Sequence, residues 1–518
     1  MANTDRRGFF RFSAGVLAAL GVRPAHAEET ETALAIHRAT RNTELGAIGA
    51  RIRRWRGPLQ AWKPYPGKPR VALPVPEATG GRGLEALVAA FTPDAGFAPT
   101  TVSLGAVSQL LFLANGVTQP GPAPLRAAPS AGALYAGELY LVAERVRGLE
   151  AGVYSYAPLS GELVRLRSGK FLGEVAGAVE VPGDRSEAAL AVAITNVFAR
   201  YQVRYANRGY RYALIDAGHI GENLRLAAAE LGLHETGPLR FEDDHLNALL
   251  GIDGRKEAVC DLHFVGAPGA GGSARPAPRP LVEHQWSTER PEGGASGATA
   301  PERYHTATKL VPRGGASGGA APASGASATR PANARRGPRA PLTLRAAIRA
   351  RRSASAFDAA PVPREKLVRL LSIAQDNPSL QRCIGLDLYV VAHRVEHTPP
   401  GLYRYAPGTQ ALEPHRREAL SEPLVEATLG QERSGQAGLA VVGVARLGEA
   451  VAREGERSYR HLLLEAGATA QRVYLAAEAL GLAARNLAAF YDDALDALLG
   501  LDGTREVAVH LTAVGLGR

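Results

Sequence analysis

The chain repeats itself. Moving it by 249 residues lays Pro129-Ser130 on Pro378-Ser379, the run from Gly152 to Pro158 on the run from Gly401 to Pro407, and Tyr210-Arg211 on Tyr459-Arg460. The register then holds through Asp243-Asp244 and Gly251-Ile252-Asp253-Gly254, which meet Asp492-Asp493 and Gly500-Leu501-Asp502-Gly503. A shared offset over so long a stretch means one fold used twice. Two copies are too few for a solenoid, whose units share a core with several neighbours, so the repeat predicts two intact domains packed as an internal pseudo-dimer.

The 518 residues, 46% of them hydrophobic, are enough for two substantial cores. A net charge of +10 points to a nucleic-acid or membrane partner only if it lies on the folded body. Residues 1–27 carry a net +3 and the stretch 268–340 a net +6, which leaves +1 for the rest. A basic binding face is therefore unsupported, and no nucleic-acid partner is expected. Asp5-Arg6-Arg7-Gly8-Phe9-Phe10-Arg11 is a twin-arginine pattern, followed by a short apolar run from Phe12 to Val22 and a small-x-small site at Ala25-His26-Ala27. Export in folded form to the periplasm is expected, often with a cofactor already loaded. No other segment offers about 20 consecutive apolar residues, so no membrane span is expected. Cys260 and Cys383 are not repeat equivalents, which argues against a disulfide framework and against a metal site built of several thiolates.

Composition and periodicity divide the chain into a signal peptide (1–27), an N-terminal arm (28–80), a first domain (81–266), a Gly/Ala/Pro-rich linker (267–340) and a second domain (341–518). Part of the arm, Ile36-His37-Arg38-Ala39-Thr40-Arg41, resembles Tyr304-His305-Thr306-Ala307-Thr308-Lys309 in the linker. Repetition makes both histidines docking or capping residues rather than ligands. Helical spacing is read at 342–351, with Thr343 as N-cap, at 364–374, and at 212–232 and 461–481. Strands are read at 138–142 and 386–391, at 190–197 and 438–444, and at 257–265 and 506–514. The pattern predicts α+β domains, each with a central mixed sheet flanked by helices.

Two segments carry candidate chemistry. Arg351-Arg352-Ser353-Ala354-Ser355 follows a helix directly, and guanidinium, hydroxyl and backbone N–H groups in one turn suit a phosphate, although a solvated basic helix end has the same composition. Pro129-Ser130-Ala131-Gly132-Ala133-Leu134-Tyr135 precedes a strand, and its small residues let backbone approach a flat ring closely.

These motifs, with Gly152-Val153-Tyr154-Ser155-Tyr156, Arg208-Gly209-Tyr210-Arg211-Tyr212 and Gly218-His219, resemble the FMN-dependent nitroreductase superfamily, and within it the azoline dehydrogenases that make thiazoles and oxazoles in peptides. The resemblance spans roughly 80–266 and 340–518. It implies a nitroreductase fold in each half and FMN at the interface between them. Carried over, Arg351, Arg352, Ser353 and Ser355 would hold the FMN phosphate and ribityl chain, and Pro129, Ser130, Ala131, Gly132 and Ala133 would face the isoalloxazine from the other half. The loop offering a backbone N–H to flavin N5 would fall on Ala488-Ala489.

The two halves have changed reciprocally. Ahead of the Pro-Ser loop the first half carries about 11 extra residues, so helices there align at an offset of 260, and Arg351, Arg352, Ser353 and Ser355 meet Phe91, Thr92, Pro93 and Ala95. The second half reads Ser379-Leu380-Gln381-Arg382-Cys383 where the first has Ser130-Ala131-Gly132-Ala133-Leu134. Bulky Leu380, Gln381 and Arg382 should obstruct a flavin face. Both changes fall on the same one of two interface sites, which predicts one complete site and one vestigial site.

The azoline branch uses a Lys-Tyr pair upstream of its Arg-Gly-Tyr-Arg-Tyr motif; here the pair reads Arg204-Tyr205. Arginine stays charged, so it cannot replace lysine as a base, but it can hold an anion or polarise a carbonyl. Tyr205 remains as an acid/base candidate, or as aromatic packing. His219 is read as a helix histidine satisfied by its neighbours. The expectation is an FMN-dependent dehydrogenase or oxidase acting on a small molecule or peptide, monomeric because its dimer is internal. The rivals are an NAD(P)H-dependent nitro or quinone reductase and a non-catalytic flavin- or peptide-binding protein.

Overall fold

The computed structural model describes residues 32–43, 63–91, 96–180, 185–269, 299–310, 342–377, 381–383 and 385–517. The expected signal peptide, most of the linker, residues 92–95 and residues 378–380 lie outside these. In the first half the strands are β1 (Arg70–Ala72), β2 (Gly96–Ala98), β3 (Gly137–Ala143), β4 (Gly152–Ala157), β5 (Glu162–Ser168), β6 (Leu190–Val197), β7 (His234–Thr236) and β8 (Glu257–Gly269). They form one sheet in the order β1-β5-β4-β3-β6-β8-β7, with β2 pairing the far end of β8. The second half repeats this with β9 (Leu386–Ala392), β10 (Gly401–Ala406), β11 (Ala411–Arg416), β12 (Leu439–Ala445), β13 (Ala483–Asn486) and β14 (Val507–Gly515), in the order β11-β10-β9-β12-β14-β13. Even a bulge recurs, between Ile194 and Thr195 on β6 and between Gly443 and Val444 on β12.

The sheets are not mixed as expected. Every ladder in both is antiparallel; parallel pairing lies outside the sheets, in a two-residue ladder of Val102–Ser103 with Val146–Arg147 and in the equivalent bridge of Val362 with Val395. The reason is connectivity: β3, β4 and β5 form a meander, and the helical excursions after β6 and after β7 return to antiparallel neighbours rather than through a parallel crossover.

The helices follow the repeat, and four pairs of them coincide residue for residue. In the first half α1 (Ala33–Ala39) belongs to the arm, followed by α2 (Leu84–Ala90), α3 (Leu104–Asn115), α4 (Ala199–Tyr205), α5 (Gly209–Glu230) and α6 (Asp243–Leu250). The linker carries α7 (Ala300–Ala307). The second half has α8 (Leu344–Ala350), α9 (Arg364–Gln375), α10 (Leu447–Glu454), α11 (Ser458–Ala479) and α12 (Asp492–Leu499). Thr343 caps α8, its hydroxyl accepting from Ala346 N at 3.3 Å.

The long helices α5 and α11, buried along almost their whole length, cross each other between the two sheets. They meet at Gly218 and Gly467, repeat equivalents, where an added Cβ would run into the backbone of the opposite helix. Gly83 and Thr343, equivalent at the other offset, pair with each other as an antiparallel bridge. Such self-pairing marks a pseudo-twofold axis. One hydrophobic cluster joins residues of both halves, including Leu110, Leu214, Leu370 and Leu463, and a separate cluster covers the outer face of each sheet.

The arm fragments dock as the sequence suggested. Arg211 reaches the Thr40 hydroxyl at 2.7 Å and the His37 carbonyl at 2.5 Å, and its equivalent Arg460 reaches the Thr308 hydroxyl and the His305 carbonyl, both at 2.6 Å. His37 and His305 are buried, and desolvation depresses the pKa of each.

Candidate functional site

The segment after α8 leaves the helix at Arg351 because the backbone turns extended there (ψ 121°). Ala354 N–H donates to Ala484 O at 2.8 Å, while Arg485 and Arg433 donate to the carbonyls of Ala354 and Ser355 at 2.9 and 2.8 Å. This strap leaves Ser353 and Ser355 exposed. The Ser353 hydroxyl lies 2.9 Å from the Tyr474 hydroxyl, which accepts from Asn486 N. Arg351 is buried and crosses to the first half, donating to Ala127 O and Arg126 O, each at 3.2 Å, with its guanidinium over the Tyr474 ring. No carboxylate pairs with it among the described residues. Burial without a counter-ion lowers its pKa. Arg352 binds carbonyls of Arg349 and Arg351 and the side chain of Gln119. Glu478 accepts from Arg352 N at 3.3 Å.

Arg126 and Ala127 lead into the Pro-Ser loop. Gly132, Ala133 and Tyr135 all have positive φ (63°, 55° and 47°), and so does Ala206 beside Tyr205 (47°). Left-handed conformations at alanine and tyrosine are costly and persist where surrounding contacts impose them. Those contacts are visible. The Ser130 hydroxyl accepts from Tyr135 N at 2.9 Å and lies 3.0 Å from the Tyr201 hydroxyl, which donates to Asp216. Ala131 N–H donates to the same carboxyl at 3.0 Å. Gly132 and Ala133 stay exposed.

A Cβ on Gly132 would collide with the Tyr205 hydroxyl and sit 3.0 Å from the Arg204 guanidinium, so the loop and the Arg204-Tyr205 pair are in contact. Arg204 is exposed and lies over the Tyr205 ring. Burial raises the Tyr205 pKa to about 12, so the phenol keeps its proton at neutral pH. The Tyr205 ring meets Tyr212 edge-on at 4.8 Å, and the Tyr212 hydroxyl donates to Ala488 O at 3.2 Å. Ala489 O is held by Gln431 at 2.8 Å. The remainder of the Arg-Gly-Tyr-Arg-Tyr motif is interface. Arg208 and Arg211 both pair with buried Asp492, and Tyr210 packs in the core. His219 donates from Nδ1 to Ile215 O at 2.8 Å and accepts at Nε2 from Asn486. Desolvation lowers its pKa to about 4, consistent with a neutral ring of structural role.

The contacts close into a ring: strap, Pro-Ser loop, Arg204-Tyr205, Tyr212, the 488–489 loop, and back through Arg485 to the strap. A desolvated guanidinium without a carboxylate, two exposed hydroxyls and two further arginines suit a dianionic phosphate, and the exposed small-residue loop suits a flat ring. The residues fit FMN. The nitroreductase family model matches residues 96–266 and 348–517.

The chain belongs to the nitroreductase family. It is similar to a nitroreductase-like protein of Methanocaldococcus jannaschii, 31% identical over 156 residues, a match covering 30% of this chain and 78% of that protein. It is also similar to the microcin B17-processing protein of Escherichia coli, 29% identical over 163 residues, covering 30% of this chain but only 59% of the relative. A nitroreductase-like structure from Anabaena variabilis superposes with a TM-score of 0.71 at 24% identity, covering 94% of this chain and 99% of that one, so the tandem fold itself has a counterpart.

The symmetry-related place in the chain is filled by its own side chains. Arg382, equivalent to Ala133, reaches across to pair with both oxygens of Asp261 at 2.7 and 2.5 Å and with Gly237 O. His263 bridges Asp261 and Glu235, and Arg225 pairs with Glu222 and Glu235. Leu380 lies outside the described residues, and Gln381 donates locally, to Gln375 O.

Sequence reasoning missed Arg485, Arg433, Tyr201 and Asp216. Arg485 was within reach of the same reciprocal comparison, since its repeat equivalent is Thr236.

Proposed function

We propose that the chain is an exported FMN-dependent dehydrogenase or oxidase with one working site, at the contact of the second-half strap with the first-half Pro-Ser loop. The observation that supports this best is the contrast between the two symmetry-related places: one ringed by exposed hydroxyls, small residues and uncompensated arginines, the other closed by the Arg382–Asp261–His263–Glu235 network. Arg351, Ser353 and Ser355 would hold the FMN phosphate end, with Arg485 beside them, and Gly132, Ala133 and the 488–489 loop would bound the ring system. Bound FMN supplies hydride acceptance. The chain orients the substrate: Arg204 presents a permanent cation at the mouth, suited to a carboxylate or carbonyl, and Tyr205 donates a hydrogen bond from a phenol that keeps its proton. Likeness to the microcin-processing protein supports a peptide substrate.

One observation favours a second reading. A tyrosine protonated at neutral pH is also placed to protonate a substrate that receives hydride, as in nitro or quinone reduction. The twin-arginine segment weighs against it, because nicotinamide donors are not expected outside the cytoplasm. Reconstituted protein should carry one FMN per chain, and candidate peptides should bleach the flavin band anaerobically. A reproducible ratio near two would defeat the single-site reading, and bleaching by NADH alone would favour the reductase.

A further inference from the structure

Asp216 lies on α5 at the centre of the shared core, in a helix stretch otherwise free of acids from Tyr210 to Gly221. Its carboxyl has no cationic partner among the described residues. Its bonds go to the Pro-Ser loop: Ala131 N–H at 3.0 Å and the Ser130 hydroxyl directly, and Ser130 again through the Tyr201 hydroxyl, which lies 3.0 Å from Ser130 Oγ. Ser130 in turn fixes Tyr135 N at 2.9 Å. The three left-handed residues, Gly132, Ala133 and Tyr135, are those spanned by these anchors.

The other half shows what the arrangement lacks there. Glu465, equivalent to Asp216, also holds a loop amide, Arg382 N at 3.0 Å, but it is paired with Arg472 at 2.8 Å. The equivalents of Arg472 and Tyr201 are Asn223 and Ala450, so the counter-ion belongs to one half and the relay hydroxyl to the other. The described loop residues of the second half, Gln381 and Arg382, have no positive φ. Strain and the uncompensated carboxyl therefore occur together, on the side where the ring of exposed site residues is found.

We propose that Asp216 and Tyr201 are positioning residues that hold the Pro-Ser loop in its left-handed form, with Gly132 against Tyr205, and so set the floor on which the flavin ring rests. The inference rests on the FMN reading for its catalytic meaning but not for its structural content. Ala131 and Ser130 bond the carboxyl directly, and Tyr201 ties Ser130 to it a second time. Burial raises the Asp216 pKa to about 7, in keeping with a carboxyl kept in place without a counter-ion.

The test is hydrogen exchange of full-length apoprotein, followed in the peptide spanning 129–136, with β6 as the reference for global opening. Asp216→Ala should speed exchange in that peptide by about tenfold or more, leaving β6 unchanged. Tyr201→Phe should do so to a lesser degree. Asp216→Asn should restore protection, because the Ala131 and Tyr201 bonds converge on one oxygen that an amide can supply. With FMN added, Asp216→Ala should alter the visible circular dichroism of the flavin and weaken its binding by about tenfold, and Asp216→Asn should not. Wild-type exchange in Asp216→Ala would overturn the proposal. Should that variant fail to fold, Tyr201→Phe decides: wild-type exchange and wild-type flavin dichroism would overturn it equally. If the parent protein takes up no FMN, the cofactor reading fails, while the exchange data still decide the role of Asp216 and Tyr201.

Discussion

Arg351 and Phe91 occupy equivalent places in the two copies, and the long helices answer them with exchanged partners. Arg351 lies over Tyr474, while Phe91 lies under Arg225, the repeat equivalent of Tyr474. The cation–ring contact is kept and its charge moved from strap to helix, which leaves the first-half strap without the guanidinium that Arg351 supplies in the second. Charge-assisted hydrogen bonds contribute about 1.5–3 kcal/mol each, so Arg351→Ala should weaken FMN binding by about tenfold or more in a fluorescence titration. Phe91→Ala should cost up to about 3–5 kcal/mol of stability through lost packing and leave FMN affinity near the parent value. Equal losses of flavin from both would contradict the assignment. Asp216 gives a second expectation at this scale. Its folded pKa of about 7 stands above its ordinary value of 3.8, so the folded state binds the extra proton and stability falls as pH rises through this window. Relative to Asp216→Asn, which does not titrate, the parent protein should lose melting temperature progressively from pH 5 to pH 8. A difference that stays constant across that range would show that the folded carboxyl is already ionised at pH 5.

Legibility at the element scale followed from what each element exposes. The strands β3, β6, β9 and β12 are wholly or almost wholly buried and read as apolar β-rich runs, and α8 announced itself through Thr343 and its amphipathic spacing. The starts of α5 and α11 lie at Gly209 and Ser458, three residues before the positions inferred. A helix buried on every side has no polar stripe to mark where it begins, and Arg208 to Arg211 look like a loop motif until their ion pairs across the interface are seen. Antiparallel pairing was not legible either, because buried strands between helices look the same in parallel and antiparallel sheets. The loop at 129–135 was found through its small residues, but its left-handed backbone was not. Ala133 and Tyr135 carry no local signal for positive φ, since tertiary anchors impose it. The filling of the mirror site was half legible. Arg382 stood out as bulk, whereas Asp261, His263 and Glu235, spread over β7 and β8, carry no local pattern.

Across the whole molecule, the two halves are clamped by a symmetric pair of ion clusters whose consequences should differ. Asp492 receives Arg208 and Arg211 from the first half, and Asp243, its repeat equivalent, receives Arg457 and Arg460 from the second. All six groups are buried, so removing either carboxylate strands two arginines and should cost about 3–5 kcal/mol. Asp492→Ala and Asp243→Ala should therefore lower the melting temperature by similar amounts. Their effects on cofactor should not match. Arg208 also donates to Ala488 O at 3.1 Å and covers Phe490, so the Asp492 cluster fixes the loop that bounds the open site. Arg457 donates to Leu239 O and covers Phe241, which belong to the place closed by Arg382. FMN affinity should fall in Asp492→Ala and hold in Asp243→Ala when both are measured well below their melting temperatures. Equal losses in the two variants would mean that the pseudo-twofold still governs function as it governs the fold, and that the closed place contributes to flavin binding after all.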